Sequence, residues 1–356
     1  MKPLKSAVGH LGRAYVVVLN WRGCADTLEC LESLLRSDYP DFRVVVCDNG
    51  SGDGSLQRIA EWARGAEVEL PDNAIAHRCC SGQLVKPLHH VSYTRAEALR
   101  GGHHGTDPAL VLIDNEANLG FAAGNNVGLR YIEARGDAAY VWLLNNDTVV
   151  EHDALRRLVE HAHREPGIGM WGSMLLYYHQ PTKVQAWGGA RYDAMRGIAS
   201  HLGVMHDANE IPDVGAVQAE MAYVVGASLL VTRKFLDDVG LMTEDYFLYY
   251  EEHDWARRAH GRFGLGFALD SIVYHKEGSS VGSSHTRMPS RLSLSFQYGN
   301  RLKFIRRHYT WHLVTCWLRM LFEMLVFIKR GQFAAAGIVT RAIVGLPQRR
   351  YWKSVK

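Results

Sequence analysis

The chain has 356 residues, 47% hydrophobic and 22% charged, a balance that excludes a disordered or collagen-like polymer and allows one large α/β domain with an appendage. Its formal net charge of +3 hides an asymmetry: residues 287–356 carry 14 Lys or Arg against one acid, Glu323, while the first 286 residues carry 26 basic against 36 acidic. The tail is therefore the part expected to meet something anionic.

Six cysteines, at 24, 30, 47, 79, 80 and 316, include no CxxC pair, and residues 1–14 lack the apolar core of a signal peptide. Both observations fit a reducing, cytoplasmic setting rather than a disulfide framework or a structural zinc site. Residues 15–19 (YVVVL) read as a buried strand ending at Asn20 and Trp21. Asp26 and Glu29 stand in capping-box spacing at the head of a helix carrying Leu28, Leu31 and Leu35 on one face. A second strand, 43–47 (RVVVC), closes on the turn 48–54 (DNGSGDG), and Leu56, Ile59, Ala60 and Ala63 continue at helical spacing. Strand and helix alternating at this pace predict right-handed βαβ units and a parallel sheet. Periodicity fails over 79–107, which reads as an inserted surface loop; its pairs His89-His90 and His103-His104 read as solvated rather than metal-binding.

A third strand at 110–113 leads into 115–126, where Gly120 and Gly124 let the backbone approach a ligand and Asn118, Asn125 and Asn126 supply amides. Residues 140–144 (YVWLL) are apolar throughout, as in a strand buried on both faces, and run directly into Asn145, Asn146 and Asp147. Ligands of open α/β sheets bind outside the carboxyl ends of the strands. Asp147 is placed there to hold a metal, with the two amides offering oxygens or donors. The competing reading has Asp147 or Thr148 capping the helix expected at 152–163. Further strands are expected at 224–231 and 270–274, with a short helix at 233–239. Between them lies the densest acidic stretch, 244–255 (EDYFLYYEEHDW). On a helix Glu251 and Asp254 share a face, Glu252 projects to one side, and like charges beside aromatics raise one another's pKa, as a general base or metal site requires. His275 follows the last strand, either as a metal ligand beside Asp147 or as a satisfied surface histidine.

In the tail, Trp311, Val314, Leu318, Leu321, Phe322, Leu325 and Ile328 form one helical stripe, interrupted by Arg319 and Glu323. Central charges make a membrane span unsuited to it. Two readings stay open: a helix packed on the main domain, or one lying in a membrane interface flanked by Lys329, Arg330, Arg341, Arg349, Arg350, Lys353 and Lys356. The basic balance favours the second. No nucleic-acid partner is expected, since no nucleic-acid fold or motif accompanies the charge.

Taken together, LNW at 19–21, VVCDNGSGDGS at 45–55, NLGFAAGNN at 118–126, LLNNDTVV at 143–150, VGLMTEDYFLYYEEHDW at 239–255 and YHKEGSS around His275 resemble the family 2 glycosyltransferases, most similarly the bacterial rhamnosyltransferase-like branch of cell-surface polysaccharide synthesis. The resemblance implies an α/β GT-A fold over 14–290, a Rossmann-like nucleotide-binding half (14–150, with the insertion 79–107) fused to an acceptor-binding half (151–290) around one mixed sheet, and a basic helical extension at 291–356. It implies that Asn20 and Asp48 contact the nucleoside, that Asn118, Gly120 and Asn125 line the nucleotide pocket, and that Arg301 reaches the donor diphosphate. Asn145-Asn146-Asp147 stands where the family has its Asp-x-Asp metal motif. With an asparagine in the first place, Asp147 carries most of the binding of an exchangeable Mg²⁺ or Mn²⁺. Glu252 takes the place of the family's catalytic base, with Glu251 and Asp254 as the other candidates.

The implied reaction is inverting transfer of one sugar, since the Gln-x-x-Arg-Trp motif of processive synthases is absent. The implied donor is a nucleotide sugar, dTDP-rhamnose first and a UDP-hexose second, and the acceptor a glycan or lipid-linked hydroxyl at the inner face of the cell membrane. A non-catalytic membrane-docked module binding a nucleotide sugar or glycan is the alternative. A Rossmann dehydrogenase is disfavoured because no G-x-G-x-x-G follows the first strand.

Overall fold

The structure, a computed structural model, describes residues 11–103, 105–277 and 289–346. His104, Arg349, Arg350, Lys353 and Lys356 therefore lie outside the described residues. The first half alternates strand and helix: β1 (Arg13–Asn20), α1 (Cys24–Leu34), β2 (Phe42–Asp48), α2 (Ser55–Arg64), α3 (Ala74–Cys79), β3 (His90–Thr94), α4 (Arg95–Ala98), β4 (Leu110–Asp114), α5 (Phe121–Arg135) and β5 (Ala138–Asn145). Strands β3, β4, β2, β1 and β5 lie parallel in that order. Along β1, Tyr15 and Val17 enter one core while Ala14, Val16 and Val18 enter the other, so both faces are covered and the strand reads as an unbroken apolar run.

The second half continues with β6 (Thr148–Val150), α6 (Ala154–Arg164), β7 (Ile168–Tyr177), β8 (Gln180–Trp187), β9 (Gly189–Asp193), β10 (Ile198–His201), α7 (Val214–Glu220), β11 (Tyr223–Val224), β12 (Ser228–Thr232), α8 (Arg233–Val239), α9 (Glu251–Ala259) and β13 (Gly264–His275). It extends the same sheet through β12, β7, β13 and β6, with β12 antiparallel to β5 and β6 antiparallel to β13. β9, β10 and β11 form a separate three-stranded sheet. The tail is helical: α10 (Arg291–His308), α11 (Leu313–Lys329) and α12 (Phe333–Ile343) share a third core built on Leu294, Tyr298, Ile305, Met320 and Ile338.

Four expectations need correction. Residues 79–107 are not a bare loop: β3 pairs in parallel with β4, His90 opposite Leu110 and Thr94 opposite Asp114, and a Thr94–Glu97 capping box starts α4. Only Tyr93 of β3 is buried, so pairing with β4 makes this strand rather than its own periodicity. The capping box expected at Asp26 and Glu29 does not form; α1 begins at Cys24 behind Gly23. Both acids instead accept hydrogen bonds from the Lys276 ammonium, Asp26 at 2.6 Å. The single strand expected at 224–231 breaks at 225–227, so that β11 joins the small sheet and β12 the large one. Asp147 and Thr148 cap no helix, because Thr148 opens β6 and α6 begins at Ala154.

The Lys276 cluster ties α1 to the end of β13, and Tyr178 adds a hydrogen bond from its hydroxyl to Glu29 at 2.6 Å. Lys276→Met strands two carboxylates without their cation and is expected to lower unfolding free energy by about 3 kcal/mol. Urea unfolding checks it, and a loss below about 1 kcal/mol, the range of a surface pair, shows that the cluster does not hold these elements together.

Candidate active site

The parallel strands stop in register: Asn20 lies opposite Asp48, Asp48 opposite Asp114, and Leu19 opposite Asn145. A cavity of about 340 Å³ opens beyond these carboxyl ends, within the size range of small-molecule sites. Asn118, Gly120, Asn145, Asn146 and Asp147 line it from the first half, and Glu251, Glu252 and His275 from the second.

The other expected residues stand elsewhere. Asn20 and Asp48 are buried one position behind the lining residues Trp21 and Asn49; the Asp48 carboxylate is occupied by Asn20 Nδ2 at 2.5 Å, Ser51 Oγ at 2.6 Å and the Ser51 N–H at 2.9 Å. Asn125 turns its amide back to the Phe121 carbonyl. Arg301 does not line the cavity and is taken by Glu323 at 2.8 Å, with its guanidinium over the Tyr298 ring. Asp254 accepts from Thr243 Oγ1 at 2.7 Å and pairs with Arg258 at 2.9 Å and His308 at 2.7 Å. Burial opposes these partners, but they win and hold its carboxyl down at about 2. A carboxylate so saturated braces helix α9 and is no base.

Gly120 has φ +84, and a Cβ there would stand 2.4 Å from the Phe247 carbonyl oxygen, so only glycine permits the turn. The neighbouring Phe121 N–H donates to that same carbonyl at 2.8 Å, which fastens the glycine-rich turn to the loop before α9.

The β5–β6 hairpin carries Asp147 to the end of β13, where Thr148 pairs with His275. His275 Nε2 lies 3.2 Å from Asp147 Oδ1, while its Nδ1 faces Gln185 Oε1 at 3.0 Å. An amide oxygen accepts only from Nδ1–H, so on a neutral ring the Nε2 lone pair points at a carboxylate. Either a second ring proton, placed on Nε2 and donated to Asp147, or a bound cation resolves that contact. Burial disfavours charge on both groups, yet mutual attraction prevails: His275 is raised and Asp147 lowered from their ordinary values. The separation also suits two adjacent ligands of one ion at metal–ligand lengths of about 2.1 Å, with Gln185 as the orienting outer partner. Among the described residues no third His, Cys, Asp or Glu joins them, so substrate oxygens, asparagine carbonyls or water would complete such a site.

Glu251 and Glu252 open α9 directly after Tyr249 and Tyr250, both left-handed at φ 69 and 79. Burial pushes both carboxyls upward, Glu252 to about 7, and their mutual repulsion adds to the shift of Glu251, whose Oε2 has no hydrogen-bond partner among the described residues. His253 supplies no compensating charge, because burial between Tyr223 and Phe304 holds it neutral, near 3. A cavity-facing carboxylate with no compensating cation among the described residues is suited to accept a proton near neutral pH.

The profile of the family described as "Glycosyltransferase like family 2" matches residues 12–289. The chain belongs to that family. Agl10 of Haloferax volcanii, the low-salt glycan biosynthesis hexosyltransferase, is 24% identical over 258 residues, covering 67% of this chain and 78% of its own. GalNAc-T7, solved with UDP, GalNAc and Mn²⁺, superposes with a TM-score of 0.50 and 12% identity over 83% of this chain and 48% of its own. The mannosyltransferase PcManGT from Pyrobaculum calidifontis, solved with GDP-Man and Mn²⁺, gives 0.49 and 16% over 97% and 84%. The fold is GT-A.

Several lining residues of this glycosyltransferase escaped the sequence reading. Asn49, inside the 48–54 turn, donates to the Gly120 carbonyl at 2.9 Å and had a signal in its motif. Phe247 and Tyr249 had the same kind of signal, inside the 239–255 motif, whereas Leu292 and Phe296 line the cavity as ordinary core-type residues and had none. Asn300, on α10 and beyond the family match, donates from Nδ2 to the carbonyls of Leu248 (2.8 Å) and Tyr249 (3.1 Å), so it clasps the strained turn that aims the two glutamates. As a positioning residue, Asn300→Ala is expected to lower kcat by about tenfold with little change in KM. An equal loss in both, or a fall only in folded fraction by circular dichroism, marks Asn300 as merely structural.

A carboxyl raised by folding binds its proton more tightly in the native state. Its stabilising effect is complete below the ordinary carboxylate pKa and disappears as pH rises through the raised value. Glu251→Gln should therefore raise the thermal unfolding midpoint at alkaline pH and lose that advantage as pH falls toward the ordinary carboxylate value of about 4. A difference independent of pH means that Glu251 is not buried as a charge.

Proposed function

We propose that the chain transfers one sugar from a nucleotide sugar to the hydroxyl of a glycan or lipid-linked acceptor, with inversion at the anomeric carbon. The observation that carries this reading is Glu252, a cavity-facing carboxylate whose proton affinity burial has moved to about 7. Glu252 accepts the acceptor's hydroxyl proton as the oxygen forms its bond to the anomeric carbon. The bond from that carbon to the diphosphate breaks on the opposite face, and the nucleoside diphosphate leaves with the electron pair. Asn118, Gly120 and Asn145 line the donor side of the same cavity as Asp147 and His275.

The acceptor pair Asp147 and His275 fits an exchangeable Mg²⁺ or Mn²⁺. With one imidazole in the set, Mn²⁺ is the better match. Such an ion, when bound, neutralises the charge developing on the departing diphosphate. The donor class is supported by the GDP-Man of PcManGT and the UDP-GlcNAc solved with S. aureus TarS. dTDP-rhamnose is the first donor to test, from the resemblance of the motifs, and a UDP-hexose the second, from the hexosyltransferase Agl10.

The test is release of nucleoside diphosphate from dTDP-, UDP- and GDP-sugars with Mn²⁺ or Mg²⁺ and a bacterial lipid extract. One donor should turn over, with kcat/KM falling below about pH 7. Glu252→Gln should reduce turnover by about 10²–10⁴-fold while leaving donor binding intact. Turnover undiminished in Glu252→Gln removes the assigned base, and donor binding without turnover in the wild-type chain leaves a binding module.

A further inference from the structure

The outward face of the tail helices is a surface that glycosyl transfer does not use. On α11, Trp311 is 96% exposed just before the helix and Phe322 57% exposed within it; Val314, Leu318 and Leu325 complete the row, and Phe333 of α12 stands at its end. These positions recur at three and four residues, which is one face of a helix. The opposite face, with Cys316 and Met320, is packed on α10 and α12. Beside the row lies a groove of about 450 Å³ lined by Leu302, Leu313, Val314, Trp317 and Ile343, with the exposed Arg306 as its charged wall.

We infer that this face docks on an anionic phospholipid bilayer, with α11 lying in the plane of the interface and its Trp311–Val314–Leu318–Phe322–Leu325 row immersed. Three observations select a lipid surface over other occupants. The row is apolar and rich in aromatics, whereas the surrounding charge is positive: Arg306, Arg307, Lys329 and Arg330 are exposed, and residues 287–356 carry 14 basic side chains. The single acid of that segment, Glu323, points away from the row and is taken by Arg301 and Arg319, both at 2.8 Å. A second copy would bring two basic faces together with no exposed acid of that segment to pair them. An apolar groove with one cationic wall has the chemistry that an acyl chain and an anionic headgroup require.

Residues 310–329 are long and apolar enough to cross a membrane. Crossing would carry Arg319, Glu323 and the Arg301 partner into hydrocarbon and strip α11 from the core it shares with α10 and α12, so the helix lies in the surface. Leu292 and Phe296 of α10 line the active-site cavity, so the unit that docks is also a wall of the site. The docking stands independently of the donor and the acceptor.

The test is flotation of the full chain with vesicles of phosphatidylcholine, with and without phosphatidylglycerol. The chain should float with the phosphatidylglycerol vesicles and be released by alkaline carbonate. The double variant Leu318→Glu/Phe322→Glu should weaken binding about tenfold or more, and Arg306→Glu/Lys329→Glu should remove the preference for phosphatidylglycerol. Both pairs are exposed, so the thermal midpoint should stay in place and report that the variants fold. Absence of flotation overturns the inference, as does binding that the first variant leaves unchanged. Resistance to carbonate replaces the in-plane helix with a span. Dimerisation without vesicles that Leu318→Glu/Phe322→Glu abolishes assigns the face to a second copy.

Discussion

Two adjacent carboxylates, Glu251 and Glu252, are held in a cavity where neither finds a cation among the described residues, and the surrounding structure has to sustain that arrangement. The turn that delivers them adds its own cost, since each left-handed tyrosine is worth roughly 1–2 kcal/mol of strain. Against this, the two bonds from Asn300 contribute about 1–3 kcal/mol and partial burial of the Tyr250 ring about 1 kcal/mol more. The terms are of the same size, so the turn persists only because α10 is packed against it. Helix α10 is thus a condition of the site's geometry and not an accessory to it.

The second junction of the molecule is the meeting of Asp147 and His275. A three-residue strand, β6, turns back from β5 and pairs with the end of β13, so residues far apart in the chain face each other at 3.2 Å. Gln185 fixes the ring from behind, and Lys276, next in the chain, is anchored by Asp26 and Glu29 of the first helix. The halves are therefore joined at one wall of the cavity, while Glu251 and Glu252, which also line it, stand on the separate helix α9. Burial raises Glu251 and Glu252, whereas at Asp147 the attraction of His275 outweighs burial and lowers the carboxyl, so neighbouring acids hold their protons differently.

The tail serves two environments. Its inner surface continues the core and supplies Asn300, Leu292 and Phe296 to the site, and its outer surface presents an apolar row framed by positive charge. The same helices thus set the geometry of the cavity and the character of the molecule's exposed side.

The sequence by itself determined strands β1, β2, β4 and β5 and the polar turns at their carboxyl ends. Apolar runs such as 140–144 are legible because a strand covered on both faces cannot tolerate polar residues, and Asn145-Asn146-Asp147 is legible because a carboxyl-end turn in a parallel sheet is where ligands go. It determined the cavity positions of Asp147, Glu251, Glu252 and His275 through motifs whose residue types fit one chemistry. Tertiary structure decided which polar groups remain free. Asp254 and Arg301 have the same local promise as Glu252, yet His308 takes one and Glu323 the other through packing, with Arg258 added to Asp254 from the next turn of the same helix. β3 became a strand because β4 offered an edge, and the break at 225–227 arises from two sheets competing for one run. Hydrophobic pattern and motif are properties of neighbours in sequence; hydrogen-bond saturation and strain are properties of neighbours in space, and only the fold supplies those.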